Sequence, residues 1–60
     1  MTPQMLDRAS QGFRRGYRDT YNGVTANPYQ AGTFAAYDWD EGASAARAEI
    51  KFDARMAERL

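Results

Sequence analysis

Sixty residues, with eight Lys and Arg against eight Asp and Glu and neither His nor Cys, allow at most one small domain. A chain this short buries only about 60% of the surface its unfolded form exposes, so its stability is marginal. Without imidazole or thiol it lacks the usual general base, the thiolate nucleophile and the zinc ligands, which sets aside Cys or Ser–His catalysis, metal hydrolysis and a disulfide-stapled fold.

The hydrophobic share of 43% is too high for a simply disordered tail. No apolar run approaches the roughly 18 residues that cross a bilayer, and Met1–Ser10 has no signal-peptide layout. The expectation is a soluble cytoplasmic protein. A core this small leaves room for a partner, or a second copy of the chain, to add stability.

The first helix is predicted over about residues 3–21. Thr2 suits its N-cap, and Pro3 suits the first helical position, where a missing N–H costs nothing. At 100° per residue, Met5, Leu6, Ala9, Phe13, Gly16, Tyr17, Thr20 and Tyr21 fall within one arc of about 160°. Asp7, Arg8, Gln11, Arg14, Arg15 and Arg18 take the other side. Gly12 and Gly16 lie one turn apart, each costing up to about 1 kcal/mol of helix propensity relative to Ala. Two such costs in one helix point to a backbone or ring packed closely against it. Asn22-Gly23 supplies the stop, with Gly23 suited to a left-handed conformation after the last turn.

Residues 22–32 form the linker. Pro28 biases Asn27 toward an extended conformation, and Tyr29 is expected to tuck over the helices. The second helix starts between Thr33 and Asp38 and runs to about residue 59. Asp38, Asp40 and Glu41 are read as electrostatics of its first turns. Trp39, Ala43, Ala46, Ile50, Ala54, Ala57 and Leu60 form one stripe at spacings of three and four. Ala45, Phe52 and Met56 form a second, weaker stripe about 120° or more away. A two-helix hairpin has one inner face, so Phe52 and Met56 need a twist in the packing or contact with another molecule.

The halves carry opposite charge. Residues 1–30 hold four Arg against two Asp, and residues 31–60 hold four cations against six carboxylates. In an antiparallel hairpin this complementarity favours pairing of the halves. The spacing of Asp38, Asp40 and Glu41 is not that of a calcium loop, and no metal site is expected. Tyr17, Tyr21, Tyr29 and Tyr37 could stack on bases, but the first two lie on the apolar arc, where packing is the simpler role. Arg8, Arg14, Arg15 and Arg18 share a polar face that is either merely solvated or a phosphate-binding surface. No nucleophile–base pair or phosphate-cradling glycine loop exists, so no enzyme activity and no cofactor are expected.

Arg15-Gly16-Tyr17, then Gly23, then Asn27-Pro28-Tyr29, then Trp39-x-x-Gly42 and Ala46 occur in the order and near the spacing of the ribosome modulation factor family, which this chain resembles over about residues 8–47. The resemblance implies a two-helix protein that binds the small ribosomal subunit near the 3′ end of its RNA. There it blocks docking of the message and represses translation by occupancy, as in ribosome hibernation. Arg15 and its neighbours Arg14 and Arg18 would then face phosphate, while Gly16, Tyr17, Pro28, Tyr29, Trp39 and Gly42 hold the shape. The chain departs from the family in its neutral charge, in Ala43 where a second tryptophan would stand, and in the helix continuing through Phe52 and Met56. Fewer neutralised phosphates imply weaker RNA binding with a shallower salt dependence. The expected fold is therefore all-α, one domain over residues 1–60, an antiparallel two-helix hairpin whose second helix is longer. The alternative function is a small protein-binding adaptor or inhibitor, bacterial or phage-encoded, that acts through its C-terminal helix and Phe52 and Met56, alone or as a homodimer.

Overall fold

The computed structural model describes residues 1–58, with the backbone alone at Glu58. It is helical and, among the described residues, without strands: α1 spans Pro3–Arg8, α2 Gln11–Tyr21 and α3 Phe34–Glu58. The Thr2 hydroxyl accepts the Met5 N–H at 3.3 Å, and Pro3 opens the helix, as its fixed φ favours.

The single helix expected over 3–21 is instead two. Ala9 is extended (ψ 159°), and Ser10 starts a new helix by accepting the Phe13 N–H at 3.2 Å. Serine favours such caps because its hydroxyl satisfies a donor that the first turn leaves open. The break takes Met5 out of register with α2 and leaves it 58% exposed.

At the far end of α2 the Val24 N–H bonds to the Asp19 carbonyl at 2.8 Å and the Gly23 N–H to the Thr20 carbonyl at 3.1 Å. Gly23 has φ +81°. This is the six-to-one and five-to-two pairing of a Schellman stop, and it needs a residue without Cβ strain. Residues 22–33 then lead to α3. Asn27 pins this linker: its Nδ2 donates to the Ala36 carbonyl at 2.9 Å, and its Oδ1 accepts the Tyr29 N–H at 3.0 Å. Tyr29 is half-buried, as expected. Thr33 caps α3 by accepting the Ala36 N–H at 3.1 Å. With Phe34 at the first helical position, Asp38, Asp40 and Glu41 lie beyond the first turn. The dipole's attraction for carboxylates fades there, so the helix-start role read for them fails.

The core is a helix crossing made of small residues. Gly12, Gly16 and Gly42 are buried, together with Ala36, Trp39, Ala43 and Ala46. Gly12 lies against Ala35 and Asp38, Gly16 against the Trp39 backbone, and Gly42 against the backbones of Phe13 and Tyr17. Farther on, the hydroxyls of Tyr17 and Tyr21 reach Glu49. These contacts ascend together along both helices, whereas an antiparallel hairpin would reverse one order. The long helices therefore cross in the same chain sense, and the linker returns along them.

The length difference decides how much of the α3 stripe is covered. At 1.5 Å per residue α2 is about 16 Å long and α3 about 37 Å, within overall extents of 41 × 25 × 15 Å. Trp39, Ala43 and Ala46 are covered, but Ile50 is 41% exposed, and Ala54 and Ala57 lie in the open. Leu60, the last member of the expected stripe, lies outside the described residues. No helix among them is long and apolar enough to cross a membrane.

Candidate functional site

The glycine seam turns one face of α2 toward α3 and the opposite face outward. Arg14, Arg15 and Arg18 occupy the outward face, and all three are exposed. Arg8 does not join them: it closes α1, on the other side of the Ala9–Ser10 break. The Arg15 Nε lies 3.4 Å from the Asp19 Oδ2, an i,i+4 pair that partly satisfies its charge. Arg14 and Arg18 form no ion pair among the described residues.

Asp19 also ties this face to the core. Its Oδ2 accepts the Trp39 indole N–H at 3.0 Å, and that bond, with help from Arg15, holds its carboxyl below the usual carboxylate range. Four of the motif residues, Gly16, Tyr17, Trp39 and Gly42, sit in contact. Gly16 and Gly42 form the seam, Trp39 fills it, and Tyr17 borders it. Gly23 stops α2, and Pro28 and Tyr29 lie in the pinned linker.

The hydroxyls of Tyr17 and Tyr21 are engaged within the protein. Their ring centroids are 5.0 Å apart at 51°, and both hydroxyls donate to Glu49, that of Tyr21 at 2.8 Å. The Met1 ammonium reaches the same carboxylate. Sequence reasoning missed Glu49 because a carboxylate among alternating charges carries no signal until both tyrosines are placed beside it. The ammonium, then the hydroxyls, lower its carboxyl to about 2, while the same contact raises Tyr17 and Tyr21 above the ordinary tyrosine range.

A depressed carboxyl contributes stability that is present above its unfolded value of about 4.3 and lost below it. Folding followed by circular dichroism is expected to weaken between that value and about 2 as Glu49 protonates. The raised tyrosines act at the other end, where stability falls as pH climbs past about 10. Glu49→Gln is expected to flatten much of the acid limb, leaving the part due to Asp19. An unchanged acid limb in that variant would contradict the assignment.

Phe52 and Met56 are 63% and 48% exposed on the uncovered part of α3. Among the described residues no group of three carboxylates is arranged to hold a metal ion. No family model, curated protein or solved structure matches the chain.

Proposed function

We propose that this protein acts as a ribosome modulation factor-like binder of small-subunit ribosomal RNA and represses translation by occupying its site. One observation carries the reading. The motif residues Gly16, Trp39 and Gly42 form a backbone-close crossing that leaves Arg14, Arg15 and Arg18 together on the exposed face of α2. Arginine suits phosphate because its planar guanidinium pairs with it in a bidentate manner. Three such contacts give a log–log salt slope of about −2 to −3, shallow beside that of strongly basic binders.

The test is co-sedimentation with purified 30S subunits. Binding at low salt and release as salt rises are expected. Replacing Arg14, Arg15 and Arg18 together by Ala is expected to abolish binding, while Phe52→Ser has little effect. Binding unaffected by the triple replacement would refute the proposal.

The exposed Ile50, Phe52 and Met56 favour a second reading, an adaptor that docks the free end of α3 on another protein. Its sensitivities are reversed: Phe52→Ser breaks the complex, and salt matters little.

A further inference from the structure

A second surface has the opposite chemistry. Between the linker and the first turns of α3 lies an open groove of about 890 Å³, lined by Asn27, Tyr29, Phe34, Tyr37, Asp38 and Asp40 among others, with no Lys or Arg. Phe34 is 91% exposed and Tyr37 64%. The first position of α3 needs no aromatic ring, since Thr33 supplies the cap. A chain with so small a core nevertheless leaves two rings outside it. Neither is explained by folding.

The carboxylates beside the rings are available. Asp38 is half-buried and makes no ion pair or side-chain hydrogen bond among the described residues. Asp40 accepts one bond from the Asn27 Nδ2, at 3.2 Å on Oδ1, which leaves Oδ2 open. Aromatic faces beside carboxylates, without a cation, complement one side-chain group above others. A guanidinium stacks on rings, sheds water more readily than an ammonium and pairs with a carboxylate through two parallel bonds. Phosphate and anionic lipid are disfavoured by the same carboxylates.

We propose that this groove docks an arginine-bearing segment of a basic protein partner. The surface is separate in charge and in residues from the arginine face of α2, so the two can be tested independently.

The experiment titrates the full chain with a capped peptide of alternating Gly and Arg, with the same peptide carrying neutral citrulline, and with oligouridylate. Heat and amide NMR shifts are the readouts. The arginine peptide is expected to bind and to shift amides of residues 27–40, with citrulline binding markedly weaker. Phe34→Ala with Tyr37→Ala is expected to weaken it about tenfold, and Asp38→Asn up to about fivefold. Arg14→Ala with Arg18→Ala should leave it unchanged. Both ring positions are exposed, and an unchanged circular dichroism spectrum verifies the fold of the double variant. The proposal is overturned if the peptide fails to bind, if citrulline binds equally, or if the double ring variant binds as well as the parent. It is also overturned if oligouridylate takes the groove, or if the rings instead mediate self-association that the double variant abolishes.

Discussion

Gly16→Ala is expected to leave the chain largely unfolded at room temperature. A Cβ at that position would lie 2.8 Å from the Trp39 carbonyl carbon and 2.9 Å from its Cα, and closer still to the carbonyl oxygen. Those are backbone atoms of a regular helix, which cannot step aside as a side-chain tip can. Overpacking a core typically costs about 1–3 kcal/mol, and relief here requires the helices to separate, so a cost of about 3 kcal/mol or more is expected. Domains of this size rarely have more than about 3–5 kcal/mol to lose. Gly42→Ala, whose Cβ would meet the Phe13 backbone and lie 2.9 Å from the Tyr17 nitrogen, should behave alike. Gly12→Ala is milder because the overlap is shallower: its Cβ would lie 2.9 Å from the Ala35 carbonyl oxygen and 3.1 Å from the Asp38 Cβ. Gly23→Ala meets no atom but must hold φ +81°, costing about 1–2 kcal/mol. Thermal melts of the four variants should rank in that order. A parent-like melt for Gly16→Ala would disprove the crossing.

Trp39→Ala is the second large effect. The indole is 2% exposed and is the one large side chain among the buried hydrophobic residues described. Truncating such a residue costs about 3–5 kcal/mol, which again takes most of the available stability. Trp39→Phe separates ring from polar contact: it keeps most of the apolar bulk and loses the bond to Asp19. A clearly smaller loss is expected by chemical denaturation, together with an Asp19 carboxyl that titrates closer to the usual range. Phe34→Ala provides the contrast. With its ring 91% exposed, its melt should stay within about 0.5 kcal/mol of the parent.

The legible part of the fold lay in residues whose local chemistry admits one use. Thr2-Pro3 and Asn22-Gly23 stand where capping and turn preferences put them, α3 begins at the early edge of the range expected for it, and the Trp39, Ala43 and Ala46 seam follows from its spacing. The break at Ser10 was hidden because Ala9 extends the apolar arc of an unbroken helix equally well. In the structure the Ser10 hydroxyl accepts the Phe13 N–H and caps a new helix there. The relative sense of the long helices was hidden for a different reason. Glycine and alanine faces allow close approach from either direction, and charge complementarity between the halves does not choose one. At the candidate site, the arginines of α2 were readable from helical spacing, whereas Arg8 was misplaced by the same unbroken helix. The Glu49–tyrosine and Asp19–Trp39 contacts join residues 20 or more positions apart and exist only once the crossing is formed.

The same-sense crossing also sets a minimum on residues 22–33. Tyr21 ends near Glu49, and Phe34 begins near Gly12, so the intervening segment must travel back over the length of α2 before the chain can turn upward again. Helix connections in bundles commonly need only about 2–8 residues, and here the extra ones are distance rather than slack. Excising a few of them would force α3 to reverse its direction or pull away from its partner, so the stretch that looks most dispensable governs which way the protein is strung.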